Sequence, residues 1–222
     1  MAFLLIAKYA TLLLRYDMRS ILRNFIVIEG LDGAGTTTQK KAIEAELNAE
    51  GIRTYATHEP TDNPIGRTIR AALQHEFRTT PEALAYLYAS DRHDHLYNED
   101  YGLIKHIEEG ETVISDRYIF SSIAYQSVEC SPDLVRMLNT AFPYPGIVIF
   151  IDTPVSSCIS RIESRGEDKE LFDRSEFLEK VRLNYISEFS ALPPGVRYLR
   201  IDGTLSIQDI KGLILDFIRA SL

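Results

Sequence analysis

Cysteine is scarce in this 222-residue chain. Cys130 and Cys158 are the only two, in unrelated contexts with no CxxC or Cys/His spacing. That excludes a disulfide framework and a thiolate metal site, and predicts buried thiols in a reducing compartment. Positive charge is short as well: 24 Lys and Arg face 32 Asp and Glu, for a formal charge of −8. An acidic chain is a poor general binder of nucleic acid polymers or anionic membranes. Any phosphate it holds must be met by local arginines and backbone amides. The apolar stretch FLLIAKYATLLL near the N-terminus is short and interrupted by Lys8. It cannot span a bilayer, and it lacks the basic flank and small-residue pattern of an export signal. No internal repeat, low-complexity tract or linker divides the chain. A hydrophobic content of 45% argues against disorder, and the length suits one α/β domain.

Met18 stands just ahead of RSILRNFIVIEG, where the folded pattern begins. Residues 1–23 read as an N-terminal extension, with Met18 as the true start, and 24–222 as the domain. An N-terminal helix docked on the surface is the alternative.

Five apolar or β-branched runs predict strands: Asn24–Glu29, Arg53–Thr57, Glu111–Ser115, Gly146–Ile151 and Val196–Ile201. Helical spacing fills the intervals at about 37–50, 65–75, 81–98, 101–109, 119–141, 154–163, 175–190 and 206–220, with a break near Ser131-Pro132. Ser164–Asp173 is charged and carries Gly166, which predicts a mobile loop. Strands alternating with helices mean α/β: a parallel sheet flanked by helices.

Between the first strand and first helix lies GLDGAGTTTQ. Gly30-Leu31-Asp32-Gly33-Ala34-Gly35-Thr36-Thr37 matches the phosphate-loop pattern G-x-x-x-x-G-K-[ST] except that Thr36 replaces the lysine. Glycines let successive amides point into a concavity, and the helix adds its positive N-terminal end. Thr37 would place a hydroxyl on a Mg²⁺ ion. By themselves, these features describe a phosphate-binding α/β domain.

EGLDGAGTTTQ, DRY, SSIAYQ and DRSEFLEKVRLNY occur in that order. On these motifs, from about Asn24 onward, the chain resembles the thymidylate kinases, which move a phosphoryl group from ATP to dTMP. The resemblance implies a P-loop nucleoside monophosphate kinase fold with a small lid, Mg²⁺ as cofactor, and a homodimer through helices near 65–140. It implies that Gly30 through Thr38 hold the ATP phosphates, and that Thr37 and Asp116 face the metal. Asp32, Glu59, Arg70, Tyr88, Arg92, Arg117, Ser122 and Gln126 would hold dTMP. Tyr88 would stack on the base and Arg92 would bond its carbonyl as a flexible donor. Arg70 would take the acceptor phosphate, with Arg67 on a solvated helix face. Thr61-Asp62 departs from the family's Gly-Gly, which leaves the loop shape open. An ATP-dependent kinase with free thiols belongs in the cytoplasm.

The missing lysine needs a substitute, since losing one charge-stabilising donor costs roughly 10² to 10³ in rate. The charged segment 161–174 resembles the lid, and its Arg161, Arg165 and Arg174 are the candidates; with Asp32 and Arg117 they make up the expected catalytic set. Lys40 and Lys41 lie beyond the first helical turn, about 1.5 Å further per residue, and are not expected to fold back. A catalytically impaired nucleotide-binding partner or regulator, or a kinase for another nucleoside monophosphate, remains as an alternative.

Overall fold

The computed structural model describes residues 20–164 and 171–221, with only the backbone described at 171–174. The extension ahead of Ser20, Met18 included, lies outside them, as do Arg165 and the side chain of Arg174.

Five parallel strands form one sheet in the order β2-β3-β1-β4-β5. They are β1 (Ile21–Gly30), β2 (Thr54–His58), β3 (Thr112–Asp116), β4 (Tyr144–Asp152) and β5 (Arg197–Asp202). The central pair is apolar on both faces: Phe25, Ile26, Val27 and Ile28 of β1 and Val148, Ile149 and Phe150 of β4 are fully buried. Such strands need cover on both sides, which helices supply. The outer strands β2 and β5 are largely half-buried or exposed.

The helices are α1 (Thr36–Ala49), α2 (Pro64–Leu73), α3 (Pro81–Tyr97), α4 (Leu103–Glu108), α5 (Ile119–Gln126), α6 (Pro132–Asn139), α7 (Val155–Glu163), α8 (Leu171–Phe189) and α9 (Ile207–Arg219). Proline opens α2, α3 and α6, where its missing N–H is no loss. Thr80 and Ser206 cap α3 and α9 by accepting the Ala83 and Asp209 N–H groups.

Two elements start three or more residues earlier than the sequence reading. β1 begins at Ile21, before Asn24: Ile21 and Leu22 pair with Tyr144 and Pro145, and a register irregularity separates them from Ile26. That irregularity interrupts the apolar pattern, so the strand reads as shorter than it is. α8 begins at Leu171, inside the stretch expected as loop. Every strand runs the same way, so the turns after β1, β2 and β3 meet at one edge of the sheet. Ligands of open α/β sheets bind at that carboxyl edge. No helix among the described residues is long and apolar enough to cross a membrane.

Candidate active site: two pockets with a common wall

The phosphate loop leaves β1 and enters α1 at Gly35, whose φ is 98°. No side chain caps this helix, so its first N–H groups remain available to an anion. Gly33 is required twice over: its φ is 84°, and a Cβ there would lie 2.6 Å from the Cys158 carbonyl oxygen. The loop bounds a polar pocket of about 310 Å³, lined also by Asp116 and Arg117.

Asp116 ends β3, in register with Ile28 of β1 and His58 of β2. Its Oδ2 accepts from the Thr37 hydroxyl at 2.5 Å. Its Oδ1 is buried without a hydrogen-bond partner. A hydroxyl beside an orphaned carboxylate oxygen is a hard donor set that suits Mg²⁺.

Arg117 follows with a φ of 75°, a left-handed backbone in a residue with a side chain. Its N–H donates to the Ile28 carbonyl at 3.0 Å. Its Nη2 donates to Asp32 Oδ1 at 2.7 Å, and its guanidinium lies 5.0 Å from the Tyr125 ring centre. Tyr125 also accepts the Asp32 N–H at 2.9 Å. Asp32 and Arg117 therefore form a wall, and a second pocket of about 300 Å³ lies against it. That pocket is lined by Glu59, Tyr88, Arg92, Ser122, Tyr125, Gln126 and Phe177, among others.

Two cavities that share an aspartate and an arginine suit a transfer between two phosphate-bearing ligands. The comparisons with known proteins agree. The family model described as thymidylate kinase matches residues 28–214. A relative from Treponema pallidum (strain Nichols), named as a thymidylate kinase, is 38% identical over 203 residues, covering 90% of this chain and 97% of its own. Relatives so named from Methanococcus maripaludis and Aeropyrum pernix are 36% and 32% identical, covering 82% and 86% of this chain and 88% and 93% of theirs.

The chain belongs to the thymidylate kinase family.

Against the family's expected site, the structure sorts the residues into three groups. Leu31, Asp32, Gly33, Gly35, Thr36, Thr37, Thr38 and Asp116 line the loop pocket. Asp32, Glu59, Tyr88, Arg92, Arg117, Ser122 and Gln126 line the second. Gln126 Oε1 is buried there without a partner, and burial pushes the Tyr88 hydroxyl up to about 12. Gly30, Ala34, Arg70 and Arg161 line neither pocket. At Gly30 a Cβ would meet Ala34 Cβ at 2.9 Å and the Thr36 methyl at 3.0 Å. The buried Thr36 thus turns its methyl toward Gly30 while it lines the pocket.

Arg70 is committed to the loop after β2. It donates to the Pro60 and Thr61 carbonyls, both at 2.8 Å, and to Asp62 Oδ1 at 2.6 Å. Thr61 in turn is caught by Asp91, through its N–H at 2.8 Å and its hydroxyl at 2.6 Å. Thr61 and Asp62 thus fix by side-chain bonds a loop whose shape the sequence left open. Arg67 donates to the Asp62 carbonyl from an exposed position. Arg161 donates to the carbonyls of Gly33 and Ala34, both at 3.3 Å, and of Gly203 at 2.9 Å. It braces the loop through its backbone.

Arg92 is no flexible donor. It is 1% exposed, and it bonds Glu59 Oε2 through Nε (2.9 Å) and Nη2 (2.6 Å), Asn139 Oδ1 through Nη1 (2.5 Å), and Ser122 Oγ through Nη2 (3.0 Å). These use four of its five N–H donors, leaving one Nη1 hydrogen. Glu59 is equally enclosed. Burial alone would raise its pKa, but Arg92 and the His95 imidazole outweigh that and hold it below the usual carboxylate range. Its part in the pocket is to hold Arg92.

Lys40 stays away from the phosphate loop, as its place in the helix predicts. Its Nζ donates to the Thr57 carbonyl at 2.7 Å. It is 7% exposed and lines neither pocket. Both cysteines are free and buried.

Tyr125 and Phe177 were missed by sequence reasoning. Tyr125 had a signal: with Ser122 and Gln126 it makes an i, i+3, i+4 set on one helix face. Phe177, far along the chain on α8, lies in DRSEFLEKVRLNY, but nothing in that motif ties it to this pocket.

Proposed function

We propose that this chain transfers the γ-phosphoryl group of ATP to dTMP, giving dTDP, with Mg²⁺ bound at Thr37 and Asp116. The observation that carries this reading is the common wall: Asp32 and Arg117 line both pockets. A phosphoryl group crossing from one ligand to the other passes that wall, and transfer of this kind rests on positioning and charge stabilisation. The first N–H groups of α1 receive the donor phosphates, and Arg117 stabilises charge at the boundary. Mg²⁺ would neutralise part of the donor charge when bound. The base lies between Tyr88 and the Arg92–Ser122–Gln126 cluster, whose unpartnered amide oxygen accepts from it.

The charge lost with the phosphate-loop lysine is supplied by the arginines of the 161–174 segment, with Arg161 acting through the loop backbone. The reading includes a homodimer through helices of 65–140. Leu73, Phe77, Tyr86 and Met137, exposed on that stretch, support it.

Purified protein with ATP, Mg²⁺ and dTMP is expected to form ADP and dTDP in equal amounts. Arg165→Ala is expected to lose about 10²-fold in kcat. Thr36 favours a second reading, a protein that binds both nucleotides without transfer. A folded chain that binds dTMP yet makes no dTDP establishes that reading, and recovery of transfer in Thr36→Lys names the lesion.

A further inference from the structure

Glu29 is a carboxylate that follows the apolar run Phe25–Ile28 of the central strand, fully buried one residue before the phosphate loop. Such a group needs a full set of partners. Its Oε1 accepts the N–H of Tyr118 at 2.9 Å and of Ser121 at 3.4 Å. Its Oε2 accepts the Ser121 hydroxyl and the Tyr185 hydroxyl, the latter at 2.9 Å. Those hydroxyls lie 2.7 Å apart. Each also accepts from Arg117 Nη1, at 3.1 Å for Ser121 and 3.4 Å for Tyr185. The underside of the phosphate loop is thus joined, through two hydroxyls, to the guanidinium that walls both pockets.

We propose that Glu29 is a positioning residue for phosphoryl transfer, aiming the Arg117 guanidinium along the pocket boundary through Ser121 and Tyr185. This rests on the kinase reading above. An ionised carboxylate accepts from all four donors at once and so turns both hydroxyl oxygens toward Arg117. Glutamine in its place would set N–H groups against some of those donors and force a hydroxyl to turn. Burial pushes the Glu29 carboxyl up to about 7, while Ser121 and Arg117 pull against it.

The test compares Glu29→Gln, Glu29→Asp and Tyr185→Phe with the wild type. Tyr185→Phe removes one hydroxyl and leaves Glu29 in place, which keeps the test open if Glu29→Gln fails to fold. Three quantities are read: kcat, dTMP affinity by calorimetry, and the Arg117 guanidinium resonances by NMR. In Glu29→Gln, kcat is expected to fall up to about 10²-fold, with dTMP affinity within a few-fold and the Arg117 resonances, resolved in the wild type, averaged by rotation. Tyr185→Phe is expected to lose less, and Glu29→Asp to recover part. Wild-type turnover in both folded variants overturns the proposal, and so does lost turnover with unchanged Arg117 resonances. If the wild type makes no dTDP, the kinase reading falls by itself. The resonances then decide whether Glu29 aims Arg117: averaging supports it, and no change overturns it.

Discussion

The phosphate loop and the second pocket share Asp32 and Arg117 but are built by opposite means. The loop is one contiguous stretch shaped by backbone torsions at Gly33 and Gly35, and its ligand groups are N–H donors of a helix start. The second pocket draws on the phosphate loop, the turns after β2 and β3, α3, α5 and α8, and many of its polar groups are buried side chains already bonded to one another. A backbone site is broken by a change of torsion, whereas a side-chain site is broken by stranding a charge. The first can be recognised from a short pattern, because its chemistry is local. The second cannot, because each member depends on partners 30 or more residues away.

The largest effect expected on stability is at Arg92. Arg92→Met leaves Glu59 buried beside His95 alone, and truncating one partner of a buried pair costs about 3–5 kcal/mol. Chemical denaturation should show that loss, with dTMP binding abolished. Removing both charges together, as Arg92→Met with Glu59→Gln, should cost clearly less than the two changes added. Strict additivity would mean that the pocket is not the connected network described here.

Gly33→Ala tests the other construction. A Cβ meets the Cys158 carbonyl at a positive φ, strain worth about 1–3 kcal/mol. ATP should then no longer raise the melting temperature, while dTMP still does. Loss of both responses would show that the two sites do not fail separately.

A pH series sharpens the comparison at Glu29, which is bonded through Ser121 and Tyr185 to the Arg117 that both pockets share. Its folded pKa of about 7 lies above the ordinary 4.5. Between those values the folded chain holds a proton that the unfolded chain has lost, so stability falls as pH rises through the window. The melting temperature of Glu29→Gln relative to wild type should therefore climb from pH 4.5 to pH 7 and level off above. A flat difference would place the Glu29 titration elsewhere. The smallest effect is expected at Gly35→Ala. The torsion is equally left-handed, but a Cβ meets nothing within 4 Å, so about 1 kcal/mol is expected by thermal melting.

Much of this was legible in the residues. The order of strands and helices followed from apolar runs and their spacing, and the loop from its glycines. What the residues hid was commitment. Arg70, Arg92 and Arg161 all read as free guanidinium groups, yet each is taken by loop carbonyls or a buried carboxylate. β1 read short because a register irregularity breaks the pattern that period-two reasoning follows. Glu29 opens EGLDGAGTTTQ, but nothing in that motif shows that it reaches Arg117 through Ser121 and Tyr185.

The sequence by itself determined a parallel α/β sheet, a phosphate loop without its lysine, and the set of polar side chains available at the sheet's carboxyl edge. Those follow from local periodicity and torsional preference, which act over a few residues. Only the tertiary structure decided which of those side chains remain free to meet a ligand. A charge taken from water must find a partner when the chain folds, and the choice of partner depends on elements brought together from distant parts of the chain.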